Sequence, residues 1–278
     1  SACFGDGAWV LAVKEGGTIW SWGEGWGGAL GLNDQLKYSS PTQIGTDTDW
    51  SSGIDRISAT AYHSLAVKTT GELWSWGYNV QGQLGHNDTT KRSSPVQVGT
   101  DTDWSKVSSG HYSSIALKTD GTLWSWGDGA GGQTGQDTTG DYSSPKQVGT
   151  ETTWNQVYMN QMGPAPTGGL ATFATKTDGT LWTWGGNGMS QLGHNNLTNY
   201  SSPKQLPGTW AGGEFGKMSV SYENAGAIKT DGTLWAWGRN TYGGLGQNDK
   251  TDRSSPVQVG TDTTWKYVDC GSYTMSAV

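Results

Sequence analysis

Charge is scarce in this chain. Only 15% of its 278 residues are Asp, Glu, Lys or Arg, and the net charge is −7. No run of Lys or Arg appears, so the basic footprint that holds nucleic-acid phosphates is missing. No apolar stretch approaches the ~18 residues that a membrane-spanning helix needs. The opening SACFGDGAWV lacks a signal-peptide pattern and an initiator Met, and reads as a processed or cut end. Histidine is limited to His63, His86, His111 and His194, and cysteine to Cys3 and Cys270. No His-Glu-x-x-His, Gly-x-Ser-x-Gly, phosphate-binding loop or Cys-x-x-Cys is present. The expectation is a non-enzymatic chain with no cofactor, no metal, no nucleic-acid partner and no membrane span. A helical hydrophobic period of useful length is also missing. Apolar residues reach only 33%, yet 17 Trp and 11 Tyr provide much buriable area per residue, which excludes the polar, aromatic-poor composition of a disordered chain.

What is there is repetition. GTIWSWG (17–23), GELWSWG (71–77), GTLWSWG (121–127), GTLWTWG (179–185) and GTLWAWG (232–238) are five versions of one phrase, spaced 54, 50, 58 and 53 residues apart at their first Trp. Before each stands an apolar run ending in Lys, such as LAVK (65–68) or IALK (115–118). After it come a Gly-rich stretch, such as YNVQGQLG (78–85), and then SSP with a short apolar segment, such as SSPVQV (93–98). A further Trp closes each unit at 50, 104, 154, 210 and 265. A fixed period near 50 residues means one supersecondary unit repeated. Each unit offers about four short strands bounded by Gly, Asp, Asn, Ser and Pro. Units of this kind stack radially as β-propeller blades. The chain is therefore read as all-β and as one domain, residues 1–278. Its units lie at about 1–53, 54–106, 107–156, 157–212 and 213–265, with a partial unit at 266–278.

The order G-x-L-W-S-W-G, N-x-x-G-Q-L-G, S-P-x-x-V and V-x-x-G-x-x-x-S-x-A-L-K resembles the regulator of chromosome condensation repeat, with the best copies at 71–85 and 121–135. The resemblance covers nearly the whole chain. It implies a β-propeller, usually of seven blades, and leaves function open, because that family includes a nucleotide-exchange factor, ubiquitin ligase modules and a secreted inhibitor.

In a strand reading L-W-S-W-G the two indoles share one face, because side chains alternate. Trp20, Trp22, Trp74, Trp76, Trp124, Trp126, Trp182, Trp184, Trp235 and Trp237 are expected to form the core between blades. Burying one Trp hides ~150–250 Å², worth up to ~4–6 kcal/mol. The phrase builds the molecule, so function is sought where the copies differ.

Both ends fall in the same phase: Ala12-Val13 aligns with Ala277-Val278. One reading is a five-bladed ring closed by the terminal strands; the other is a segment of a seven-bladed ring. Cys3 and Cys270 lie in those end strands, two residues apart in phase. A Cys3–Cys270 disulfide is expected under the first reading and would imply an oxidising compartment. The alternative is two buried free thiols.

The loops after each Trp pair vary. Trp26, Tyr78, Met189, Arg239 and Tyr242 break their small or polar pattern, and Met162 lies in an insertion at 159–169. Aromatic and Arg residues are favoured interface anchors, and loops on a rigid scaffold commonly carry recognition. The Asn/Asp-rich loops, such as NDTTKR (87–92), are read as Asx turns rather than Ca²⁺ ligands. The leading expectation is a binding or structural scaffold that engages a protein partner through one propeller face, as a secreted, cell-surface or virion component. The second is a lectin-like propeller that stacks glycans on Trp26, Tyr78 and Tyr242. The third, implied by the resemblance alone, is a regulator of guanine-nucleotide exchange.

Overall fold

In the computed structural model the chain is all-β, built from antiparallel meanders. The structure describes residues 1–5, 9–160, 170–211, 216–271 and 273–278. The first sheet comprises β1 (Ala2–Gly5), β2 (Trp9–Val13), β3 (Ile19–Gly23) and β4 (Tyr38–Gln43). The second comprises β5 (Ile57–Ala59), β6 (His63–Val67), β7 (Leu73–Gly77) and β8 (Arg92–Gln97). The third holds β9 (Trp104–Ser109), β10 (Ser113–Lys118), β11 (Leu123–Gly127) and β12 (Tyr142–Gln147). The fourth holds β13 (Trp154–Met159), β14 (Ala171–Lys176), β15 (Leu181–Gly185) and β16 (Tyr200–Leu206). The fifth holds β17 (Met218–Val220), β18 (Asn224–Ile228), β19 (Leu234–Gly238) and β20 (Arg253–Gln258). A two-stranded sheet of β21 (Val268–Cys270) and β22 (Met275–Ala277) follows. In every sheet, strands adjacent in sequence are adjacent in space, which is the form of a propeller blade. Two compact units divide the chain: Ser1–Gly129 with Gly140–Thr152, and Ala130–Thr139 with Thr153–Val278.

The hairpin before each Trp pair follows from Lys-Thr-Asp-Gly-Thr. The Lys118 N–H donates to the Thr122 carbonyl and the Gly121 N–H to the Lys118 carbonyl. Gly121 sits at φ +79°, a left-handed conformation strained for a residue with a Cβ. Asp120 accepts from both the N–H and the hydroxyl of Thr122, and the Thr122 hydroxyl accepts from the Trp124 indole. The same relay runs through Asp178, Thr180 and Trp182 and through Asp231, Thr233 and Trp235. In the first sheet Thr18 alone receives Trp20. In the second sheet Glu72 replaces the threonine, and the Trp74 indole N–H has no hydrogen-bond partner among the described residues.

The ten tryptophans, expected to form one equivalent set, fall into two classes. Trp76, Trp126, Trp184 and Trp237 are fully buried and donate to the carbonyls of Ala29, Gln83, Gln133 and Gln191. Each acceptor belongs to the Gly-rich loop of the preceding repeat, so within each unit the indole ties that loop to the next Trp-pair strand. Trp22, the corresponding residue of the first sheet, is only half-buried. Trp20, Trp74, Trp124, Trp182 and Trp235 are also half-buried, each with the ammonium of Lys14, Lys68, Lys118, Lys176 or Lys229 over its ring. The unit-closing tryptophan pairs forward: Trp50 meets Trp74 and Trp76 edge-on at 5.9 and 6.3 Å, and Trp104 meets Trp124 and Trp126 alike.

The core lies between successive sheets within each unit. Leu11, Ile44, Trp50, Ile57 and Trp76 pack together in the first unit; Phe173, Leu192, Trp210, Met218 and Trp237 do so in the second. Loops stitch these layers by backbone bonds. The N–H groups of Asn33 and Asn87 donate to Ser93 and Ser143, and those of Asp137 and Asn195 to Ser201 and Ser254. All four donors have φ near +60°, which Asn and Asp tolerate best among residues with a Cβ.

The first and last strands lie in different sheets, β1 beside β2 and β21 beside β22. The expected Cys3–Cys270 disulfide is corrected: both thiols are free. Cys3 turns toward the Leu11 carbonyl within its own sheet and packs with the core there. Cys270 turns toward the Ser219 carbonyl. Burial pushes each thiol up to about 12, which suits inert structural cysteines.

Candidate functional site

Four of the sheets, the second to the fifth, offer two variable positions held side by side by the backbone. The glycine that ends the Trp-pair strand makes this possible. Gly77 has φ +111°, and a Cβ there would stand 2.4 Å from the Tyr62 carbonyl oxygen. The chain turns at that point, and the next N–H donates to the loop between the sheet's first two strands. The resulting bonds are Tyr78 to Tyr62, Asp128 to Tyr112, Gly186 to Leu170 and Arg239 to Glu223. One backbone device thus presents three different side-chain pairs, and Leu170 alone where Gly186 stands.

In the first unit these pairs build an aromatic cluster. Trp26 lies 4.8 Å from Tyr78 and 5.1 Å from Tyr62 between ring centroids. Tyr62 stacks on Tyr112 at 4.8 Å and 19°. His111 meets Tyr62 edge-on at 4.6 Å. Trp26 is 52% exposed, while Tyr62, Tyr78 and Tyr112 are half-buried. Burial, a hydrogen bond with Tyr62 and the nearby charge of Asp128 hold the Tyr112 phenol well above its usual range, so its hydroxyl stays protonated.

Beneath the cluster, fully buried His63 spans two sheets. Its ring nitrogens lie 3.1 Å from the Thr60 hydroxyl and 2.9 Å from the Ser114 hydroxyl. Burial lowers its pKa to about 3, so it is a neutral strut. His86 and His194 bond to the Ser75 and Thr183 hydroxyls and are lowered to about 4, mainly by burial.

The other candidates belong to the second unit. Arg239 forms a 2.6 Å ion pair with Glu223, which is 4% exposed; its guanidinium is held by its own fold. Tyr242 and Tyr273 meet edge-on at 5.2 Å and are 66% and 52% exposed. Met189 is half-buried, and its N–H donates to the Gln191 side chain. Met162 lies outside the described residues.

Among the Asn/Asp-rich loops, Asn79 donates to the carbonyls of Asp88 and Thr90 and accepts from the Leu84 N–H. Asn187 and Asn240 repeat most of this clamp. Among the described residues no three His, Cys, Asp or Glu gather in a way that could hold a metal ion. No helix there is long and apolar enough to cross a membrane.

Sequence reasoning singled out Trp26 and Tyr78 but missed Tyr62, Tyr112 and His111. Their signal is Ala-Tyr-His-Ser (61–64) and His-Tyr-Ser-Ser (111–114), two tyrosines six residues before the strand-ending Lys68 and Lys118. These lie in a different loop from Trp26 and Tyr78, so only pairing across the sheet unites them.

Known proteins share this fold. A family model described as the RCC1-like domain matches residues 3–278. The ultraviolet-B receptor UVR8 of Arabidopsis thaliana is 30% identical over 90% of this chain and 43% of its own length. The human probable E3 ubiquitin-protein ligase HERC6 is 30% identical over 95% of this chain and 20% of its own length. The chain thus spans less than half of either relative. Among solved structures, human WBSCR16 superposes with a TM-score of 0.79 at 20% identity, covering 97% of this chain and 69% of that one. Yeast RCC1 (Prp20), solved with Kap60, gives 0.79 at 21% identity, covering 100% and 67%. With the blade-like sheets, the Trp-pair strands and a family match over nearly its whole length, the chain belongs to the RCC1-like domain family of β-propellers.

Proposed function

We propose that this chain is a non-enzymatic protein-binding module and that the cluster of Trp26, Tyr62, Tyr78, Tyr112 and His111 is its docking surface. The carrying observation is the cluster itself. Large aromatic side chains, one of them more than half exposed, converge from three sheets on rigid backbone anchors. Rigid aromatic anchors contribute most of the energy in protein interfaces and lose little conformational entropy on binding. Chains of this fold support the reading: yeast RCC1 (Prp20) has been solved bound to Kap60, and Prp20p has binding properties to Gsp1p and histones.

A photo-crosslinking amino acid at position 78, introduced into the natural host, tests the reading. Capture of a defined protein, lost when Trp26 becomes Ala, supports it; capture unchanged by Trp26→Ala overturns the assigned surface. The exposed indole of Trp26 also favours a second reading, glycan stacking, for which the signature is saturable sugar binding on an array, lost in the same variant. Regulation of guanine-nucleotide exchange is the third reading, and accelerated nucleotide release from a small GTPase would be its sign. Placement at a cell or virion surface, or secretion, is proposed on composition alone; with both cysteines free, it draws no support from a disulfide.

A further inference from the structure

We propose that the aromatic cluster takes the arginine and lysine side chains of a basic segment of its partner protein. This rests on the protein-binding reading above and names the chemistry of the ligand. The molecule shows the interaction five times within itself: Lys14, Lys68, Lys118, Lys176 and Lys229 each place an ammonium 3.5–5.0 Å from the centroid of a half-buried indole. A cation over an aromatic face is drawn to the negative lobe of the ring quadrupole. Among the described residues, the rings of Trp26, Tyr62, Tyr78 and Tyr112 form the largest aromatic assembly outside those tryptophan groups. Among the described residues no Lys or Arg lies over any of the four.

Charge completes the case. Asp128, only 4% exposed, is anchored through its N–H to the Tyr112 carbonyl, and its negative charge is felt at the Tyr112 phenol. The chain as a whole carries −7, which favours a basic partner at long range. An acidic segment would face the negative lobes of the rings and a chain of its own net sign, and a purely apolar one would leave the phenol oxygens without the N–H donors that Arg and Lys supply.

The test is calorimetric titration of the full chain with short synthetic peptides of one Gly-Ser frame carrying arginines, lysines, glutamates or leucines. The expected result is binding of the Arg and Lys peptides alone, weakening as salt rises. Trp26→Leu and Tyr112→Leu, which keep apolar bulk but remove the π face, lower the affinity about three- to thirtyfold each, the loss of one cation–π contact. Leu197→Ala, at an exposed site in the other unit, changes nothing. Unchanged melting temperatures show that the Leu variants fold. Equal binding of Glu or Leu peptides, no binding of any peptide, or unaltered affinity in both Leu variants overturns the inference. Mapping the crosslink from position 78 separates the two readings. A partner segment without Arg or Lys sinks the basic ligand and leaves protein binding standing, whereas failure to capture any protein sinks both.

Discussion

At the residue scale, one threonine decides whether an indole is satisfied. A Thr stands just before four of the five Trp-pair strands, and there the first Trp N–H has an acceptor. Where Glu72 intrudes, the Trp74 N–H has none. A hydrogen bond gained at such a site contributes about 0.5–1.5 kcal/mol. Glu72→Thr should raise the unfolding free energy by about that increment, read as a higher denaturant midpoint, and Thr70→Asp should add to it by recreating the Asp–Thr contact seen at Asp120 and Thr122. A midpoint unchanged in the double variant would show that the relay is decorative.

Three histidines give stability a pH dependence of definite sign. His63, His86 and His194 fold with pKa values lowered from 6.5 to about 3, 4 and 4. Below pH ~6.5 the unfolded chain takes up protons that the folded chain refuses, so stability falls as pH drops. Asp88, held at about 2 mainly by Arg92, adds a loss in the same direction below pH ~3.8. Urea midpoints should decline steadily from pH 7 to 4, and His86→Gln with His194→Gln should flatten part of that slope.

At the element scale, the sheets follow from local chemistry and the loops from clamps. Asn79 is buried and ties Leu84, Asp88 and Thr90 to the loop that carries Tyr78. Replacing it with Ala leaves the buried Leu84 N–H without its acceptor, at about 1–3 kcal/mol, and frees two carbonyls at the loop surface. Asn79→Ala should lower the melting temperature and also weaken binding at the cluster, since Tyr78 loses its support. Asn240→Ala, in the second unit, should affect stability alone. Similarly, Ser75 and Thr183 donate to the Leu84 and Leu192 carbonyls of the loops that follow them, whereas Ala236 has no hydroxyl to offer. Ala236→Ser is expected to stabilise the fifth sheet, visible as slower amide exchange around Leu245.

At the scale of the whole molecule, the thiols provide a direct check. With Cys3 and Cys270 free, half-buried and weakly acidic, the intact mass should not change on reduction. A thiol reagent should find two groups only after unfolding. A mass gain of about 2 Da on reduction, one hydrogen for each sulfur of a disulfide, would restore the Cys3–Cys270 link.

Much of this protein was legible in its residues. Strand, hairpin and repeat are short-range consequences of alternation, of Gly at positive φ and of Asp, Asn and Thr closing turns on their own backbone. A period near 50 residues then multiplies each of them. Trp26 and Tyr78 also stood out, because departures from a repeat are visible without coordinates. What only the tertiary structure decided is which departures meet. Tyr62 and Tyr112 come from different loops of the sequence at the same end of the strand pairing, and they join Trp26 and Tyr78 because backbone bonds across each sheet, and packing between sheets, bring four loops together. Packing likewise sorted the tryptophans into buried struts and lysine-capped faces, and turned Cys3 toward the Leu11 carbonyl and Cys270 toward the Ser219 carbonyl. A repeat in sequence specifies each sheet almost independently of the rest. Side-chain neighbours across sheets depend on how those sheets stack, which no local pattern encodes.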